Sequence, residues 1–290
     1  MLERTSLFAE SWNVAWRKAP VGSILQDVDQ PFQIIKNSYR YWAADPFIFE
    51  NKGKTYIFAE LYDYVRRKGG IGYCLLEPEK ETYWVQVISE KYHLSYPFIF
   101  EHKHEIYILP ESGAGNILYV YHAIEFPEKW EKIKILREHG NYADTTPFYW
   151  KSQKLAITYK GKSDGHYELW LLNLHNEAKD KQLLLDNIEL RRPAGKVFGW
   201  HNKNIRPAQN CTNDYGEGLI FYEYDISEDE EYLENEMQRI FPKELKFSKE
   251  LLMDGMHTYN GNQTYEVIDI KTRRFNILNL LFRIIGKISR

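Results

Sequence analysis

Residues 43–60 decide the reading: Ala43-Ala44-Asp45-Pro46-Phe47-Ile48-Phe49-Glu50, a turn over 51–54, then Thr55-Tyr56-Ile57-Phe58-Ala59-Glu60. Both arms are rich in β-branched and aromatic residues, and Gly53 sits in the connection, so the stretch predicts a β-hairpin. Antiparallel pairing brings Asp45, before the first strand, and Glu60, closing the second, to the same end of the sheet. The pattern recurs. Tyr96-Pro97-Phe98-Ile99-Phe100-Glu101 leads to Ile106–Glu111, Thr146-Pro147-Phe148-Tyr149-Trp150 leads to Leu155–Gly161, and Arg192–Phe198 leads to Ile205–Gln209. Pro46, Pro97, Pro147 and Pro193 stand at steps of 51, 50 and 46 residues. A period near fifty with a hairpin in every unit predicts a β-propeller, one blade per repeat.

Working outward, Gly72–Leu76 and Trp84–Ile88 read as outer strands of the first blade, Leu118–His122 and Ile133–Leu136 of the second, Glu168–Leu172 of the third and Leu219–Tyr224 of the fourth. Two registers fit the fourth blade. Aligning Phe198 with Phe49, which sets Gln209 on Glu60, is preferred over aligning the prolines. The acidic run 228–236 predicts a surface turn or short helix. A fifth unit, His257-Thr258-Tyr259 and Tyr265–Ile268 around Asn260-Gly261-Asn262, lacks the proline. Before the first repeat, Trp12–Trp16 and Phe32–Ile35 look like strands that close the ring and protect its edges. The expected fold is all-β, a five-bladed β-propeller over residues 1–272, followed by a short C-terminal amphipathic helix at 273–290. There Phe275, Ile277, Leu278, Leu281, Phe282, Ile284, Ile285 and Ile288 oppose Arg273, Arg274, Arg283, Lys287 and Arg290. That pattern suits a helix lying on an anionic membrane surface, and equally one docked on the propeller or a partner.

Composition narrows the classes. The 290 residues carry a net charge of −3, so no global field for nucleic acid exists, and nucleic-acid binding is not expected. Cys74 and Cys211 lie far apart with no ligand spacing, which favours a reducing compartment. Residues 1–10 lack the apolar core of a signal peptide, and no run reaches eighteen apolar residues. The expected location is cytoplasmic, peripheral on the inner face of the cell membrane. No GxGxxG, P-loop or metal-ligand cluster stands out, so neither a metal nor a cofactor is expected. The 22 Tyr and 8 Trp suit strands and a sugar-binding surface alike.

In a propeller the starts of the innermost strands converge on the axis. Those positions hold Asp45, Tyr96, Asp144, Arg192 and His257, and the ends of the second strands add Glu60, Glu111 and Gln209. Structural readings stand beside functional ones. Asp45 before Pro46 also fits a turn cap, and Glu60 and Glu111 fit strand ends. Arg192 and Arg206 fit a closed salt network, His257 a satisfied buried histidine, and Tyr215-Gly216 a plain turn. The loop 62–70, with Arg66, Arg67 and Lys68, is placed to fold over the site.

Ala44-Asp45-Pro46 and Asp144 resemble the five-bladed furanose-active glycoside hydrolases of families 32, 43, 62 and 68. There an Asp of the first blade acts as base or nucleophile, a second Asp begins the third blade, and a fourth-blade Glu is the acid. That Glu has no match here; Arg191-Arg192-Pro193-Ala194-Gly195 stands in its region, and a guanidinium does not donate its proton. A wider set resembles the N-terminal domain family of glucosamine inositolphosphorylceramide transferases. It comprises Asp45-Pro46-Phe47, Phe58-Ala59-Glu60, Ser95–Phe98, Pro110-Glu111-Ser112, Asp144–Phe148, Arg192–Gly195, Arg206–Gln209 and Tyr215-Gly216. That resemblance implies a glycosyltransferase of polysaccharide or glycolipid biosynthesis on a hydrolase-like propeller, acting on a glycan or lipid-linked acceptor. The expected donor is a phosphorylated sugar, a nucleotide sugar or phosphoribosyl diphosphate. Arg191, Arg192, Lys196 and Arg206 would hold the diphosphate, Asp45 would be the general base, and Asp144 would orient the sugar or tune Asp45. Glu60 and Glu111 would bind hydroxyls, Gln209 and His257 would belong to the same substrate site, and Trp42, Tyr96 and Tyr215 would stack on the ring. The rival readings are a furanoside hydrolase and a non-catalytic glycan-binding propeller.

Overall fold

A computed structural model describes residues 8–249 and 252–275. Its strands, in chain order, are β1 Phe8–Arg17, β2 Gln33–Ile34, β3 Tyr41–Asn51, β4 Lys54–Asp63, β5 Lys68–Leu75, β6 Val85–Ile88, β7 Ser95–His102, β8 Glu105–Glu111, β9 Ile117–Glu125, β10 Lys129–Glu138 and β11 Asn141–Trp150. There follow β12 Gln153–Gly161, β13 Tyr167–Asn173, β14 Lys181–Gln182, β15 Phe198–Trp200, β16 Lys203–Asn210, β17 Gly218–Ile226, β18 Tyr232–Ile240, β19 Met253–Gly255, β20 Tyr259–Gly261 and β21 Glu266–Phe275. Four sheets of four strands run in chain order: β3 to β6, β7 to β10, β11 to β14 and β15 to β18. The fifth pairs β19, β20, β21, β1 and β2. The chain is an all-β five-bladed propeller.

Tight hairpins set the register. Asn51↔Lys54, His102↔Glu105, Trp150↔Gln153 and Trp200↔Lys203 are the last pairs before two-residue turns. Lys52-Gly53, Lys103-His104 and His201-Asn202 have positive φ at both central residues, as a turn matched to strand twist requires. The pair Phe198↔Ile205 thus superposes on Phe49↔Tyr56 and sets Gln209 at the place of Glu60, the preferred register. The prolines drift against this frame: Pro147 falls two residues beyond the place of Pro46, and Pro193 two before it.

The ring closes as expected. β1 pairs with β21 over ten positions, from Phe8↔Phe275 to Arg17↔Glu266, and β2 adds to β1. The cores lie between neighbouring blades. Phe47 and Phe58 of the first blade pack with Tyr96, Ile99 and Ile108 of the second, all under a tenth exposed. Burying each such phenylalanine contributes about 1.5–3 kcal/mol.

Three expectations change. Residues 232–236 are not a surface turn but the start of β18, where Glu234 is a fully buried counter-ion. The segment 62–70 is an extended hairpin with a short turn after Asp63, and Arg66 and Arg67 are exposed on it. Residues 273–275 continue β21 instead of opening a helix; the rest of the expected helix, 276–290, lies outside the described residues.

Candidate functional site

The three innermost strands β3, β7 and β11 carry the same irregularity at the same place. Register breaks between Ala44 and Phe47, Ser95 and Phe98, and Ala143 and Thr146. In each, two residues face one, which is a β-bulge. The first bulged residue is Asp45 (φ 52), Tyr96 (φ 45) or Asp144 (φ 49), a left-handed conformation that costs a side-chain-bearing residue energy. The bulge turns these side chains out of the sheet alternation toward the ring axis. In the fourth blade Gly195 (φ 140) lies one residue beyond the equivalent place; a Cβ there would stand 1.9 Å from the Tyr259 carbonyl oxygen.

Asp45 is buried. Its Oδ1 accepts from Thr258 Oγ1 at 2.7 Å and its Oδ2 from the Tyr96 N–H at 3.1 Å. His257 Nε2 lies 3.5 Å from Oδ1, and His257 Nδ1 is 2.6 Å from Asp269 Oδ2. Asp269 also accepts backbone N–H bonds from Asp45, His257 and Thr258. Burial pushes the Asp45 carboxyl up to about 6; His257 pulls it down, and Asp144 and Asp269 add to the rise. For His257 burial favours the neutral ring, but Asp269 and Asp45 outweigh it, so its pKa rises. These three residues offer ligand atoms within 4.8 Å of one another, a set able to hold a cation. A protonated imidazole between the two carboxylates would supply the same positive charge.

Asp144 Oδ2 accepts from Arg192 Nε, and from Gln209 Nε2 at 3.0 Å. Arg192 Nη2 reaches Glu111 Oε2 at 3.5 Å, and Asp144 N–H donates to the same oxygen at 3.3 Å. Burial, then the neighbouring Asp144, pushes Glu111 up to about 8 against the pull of Arg192. Glu60 rises well above the usual carboxylate range through burial and then Asp45 and Glu111. Its Oε1 faces His93 Nε2 at 3.3 Å, while Gly69 N–H donates to His93 Nδ1 at 2.9 Å. Nδ1 is therefore the acceptor, and a neutral His93 carries its proton on Nε2, beside a Glu60 Oε1 that makes no hydrogen bond of its own. Burial favours that neutral form. Gly69 is required there: a Cβ would sit 2.4 Å from Glu60 Oε1.

Tyr215 rims the site, 42% exposed, with Arg192 5.6 Å from its ring centroid and its loop clipped by Lys271 through Asp214 and the Tyr215 carbonyl. Trp12 lies on His257 at 4.1 Å between centroids. The structure thus brings together Asp45, Glu60, Glu111, Asp144, Arg192, Gln209, Tyr215 and His257.

Other candidates are placed elsewhere. Tyr96 is fully buried, its hydroxyl bonded to Thr146 Oγ1 at 2.8 Å and to the Gly195 N–H at 2.6 Å, so it is a pin between blades and not a stacking surface. Arg206 is fully buried against Glu234, which Arg191 also contacts, and Arg206 Nη1 donates to the Arg191 carbonyl. Both arginines are spent on that network, so neither is free to clamp a diphosphate. Lys196 meets no acid of the site: its Nζ stands 5.4 Å and 6.0 Å from the ring centroids of Phe98 and Phe47. Trp42 differs from these: it stacks on Tyr62 at 4.7 Å, and Tyr62 lies 6.4 Å from the ring of His93, so the pair borders the site on the Glu60 side. Asp269, Thr258, His93 and Trp12 were not anticipated. An acid within the apolar run Val267-Ile268-Asp269-Ile270 was the one available signal.

The family model described as glucosamine inositolphosphorylceramide transferase 1, N-terminal, matches residues 23–273. Glucosamine inositolphosphorylceramide transferase 1 of Arabidopsis thaliana is 26% identical over 240 residues, covering 79% of this chain and 30% of that protein. The protein of the same name from Oryza sativa subsp. japonica is 26% identical over 204 residues, covering 67% and 27%. The chain therefore spans less than a third of the length of these relatives. Among solved structures, an alpha-L-arabinofuranosidase from Lactobacillus brevis superposes with a TM-score of 0.52 at 10% identity, covering 78% of this chain and 82% of that one. A family 43 beta-xylosidase/alpha-arabinofuranosidase from a compost metagenome gives 0.52 at 9% identity, covering 82% and 94%. At such identities the likeness is one of fold.

Proposed function

The chain belongs to the family of glucosamine inositolphosphorylceramide transferase N-terminal domains, and on that premise we propose that it transfers a sugar from an activated donor to a hydroxyl of a glycan or lipid-linked acceptor, with Asp45 as general base. The observation that carries the reading is the convergence on one ring of Asp45, held by Thr258, the Tyr96 N–H and His257, with Asp144 and Glu111, both beside Arg192; burial raises the Asp45 carboxyl to about 6 and that of Glu111 to about 8. Groups whose environments separate their pKa values divide into base and acid. At neutral pH Asp45 is largely ionised and takes the acceptor proton as the new glycosidic bond forms. Glu111 is largely protonated and donates to the departing oxygen, while Arg192 meets the charge of a phosphorylated leaving group. Arg206 and Lys196 have no part in this version of the donor site. The apolar and basic sequence of 276–290 supports, within the same proposal, a peripheral position on the inner membrane face.

The test is transfer by the purified chain from labelled nucleotide sugars and phosphoribosyl diphosphate to glycan and lipid acceptors. Asp45→Asn keeps shape and removes basicity, and should cost roughly 10²–10⁴-fold in rate. Turnover near the wild-type level in that variant would end the assignment of Asp45. A second reading, furanoside hydrolysis, is favoured by Glu111, which supplies the acid that the fourth blade lacks. Release of free sugar from a glycoside without any acceptor would select it. Glycan binding without turnover, unchanged in Asp45→Asn, would select a binding module serving an activity carried elsewhere in the longer relatives.

A further inference from the structure

At the hairpin-turn ends of β7, β11 and β15 the molecule holds a cavity of about 390 Å³, on the far side of the bulges from the carboxylates. Phe98, Phe100, Phe148 and Phe198 form its walls, and Lys154 and Lys196 supply its charge. The geometry is unusual for lysine. Lys154 Nζ lies 4.7 Å from the Phe100 centroid and 5.8 Å from that of Tyr149. Lys196 reaches from the fourth blade to the rings of Phe98 and Phe47, in the second and first. Among the described residues neither ammonium has a carboxylate within 4.0 Å. Glu101, also on the wall, faces His104 at 3.7 Å. Ring faces attract a cation but do not replace a counter-ion or its water. Burial accordingly lowers Lys196 to about 8, and burial together with Lys134 lowers Lys154. No acid of the catalytic end contributes at Lys196.

We propose that this cavity is a second ligand site, for a small amphiphilic anion whose flat or hydrocarbon body rests on the phenylalanines and whose acid group faces Lys154 and Lys196. Apolar walls with a few convergent charged groups are the usual make-up of a small-molecule site. Two unpaired ammonium groups against one acid fix the sign of the ligand. The proposal stands apart from the transfer reaction and survives or fails without it.

The probe is 8-anilino-1-naphthalenesulfonate, titrated by fluorescence into the full chain at neutral pH, with the uncharged N-phenyl-1-naphthylamine as its comparison. One sulfonate probe should bind per chain, and the uncharged probe at least tenfold more weakly. Lys196→Gln and Lys154→Gln should each weaken the sulfonate roughly tenfold or more and leave the uncharged probe unchanged, while Glu111→Gln should alter neither. Equal affinity of the two probes for the wild type, sulfonate binding that does not saturate, or lysine variants that bind as the wild type does would overturn the proposal. The comparison of probes on the wild type decides the matter even if a lysine variant fails to fold.

Discussion

Burial of Glu111 makes a testable statement about stability as well as chemistry. Its folded pKa, about 8, lies above the ordinary 4.5, so between those values the folded state binds a proton that the unfolded state releases. Stability from this group is complete below about 4.5 and is lost as pH rises through 8. Glu111→Gln should therefore melt at a higher temperature than the wild type at pH 8 and near it at pH 4.5, with a flatter profile between. A wild type and variant that differ equally at both ends would remove the shift. Residue types and repeat positions were enough to pick out Asp45, Glu60, Glu111, Asp144 and Arg192. They failed for Arg206 because the repeat does not say which face a side chain takes. Arg206 stands three residues from Gln209 on one strand, an odd step, and so points away from it. Glu234, its partner, hid in an acidic run that reads as solvated surface. Asp269 was missed because the fifth unit has no proline to mark its register.

At the scale of elements, the hairpins and their order were legible from alternation and turn chemistry, while the bulges were not. Two residues against one leaves no mark in composition, and the prolines that flank the first two bulges drift in the third and fourth blades. Tyr96 shows the consequence: its position in the repeat suggested a sugar platform, yet its hydroxyl ties the second blade to Thr146 of the third and Gly195 of the fourth. Tyr96→Phe should leave the buried Gly195 N–H without its acceptor and destabilise the fold by about 1–3 kcal/mol. Urea unfolding measures this, and a midpoint unchanged at constant slope would show that the hydroxyl is idle. Donor binding should be little altered, since the Tyr96 ring is fully buried.

At the scale of the molecule, five blades and their closure were written in the period and in the spare strand before the first repeat. The buried ion pair that locks the closing sheet was not. Arg17 and Glu266 face each other at 2.7 Å, 3% and 0% exposed, and Glu266 also accepts from Tyr259 and the Ile24 N–H. Arg17→Met should cost about 3–5 kcal/mol by stranding a buried carboxylate, and the added Glu266→Gln should restore much of it. Additive losses in denaturant melts would show the two to be uncoupled. Removing 276–290 should spare the ring, because β1 and β21 are fully paired by Phe275; it should also release the chain from anionic vesicles in a flotation assay, and retention there would refute the membrane role. The same pairing has a mechanical side. Phe8 and Phe275 are opposite each other at one end of the antiparallel pair. A force applied between them loads the hydrogen bonds singly, in the manner of a zipper, instead of shearing ten positions at once. A ring closed firmly against heat should thus open under low tension, peeling β1 from its outer end toward Arg17.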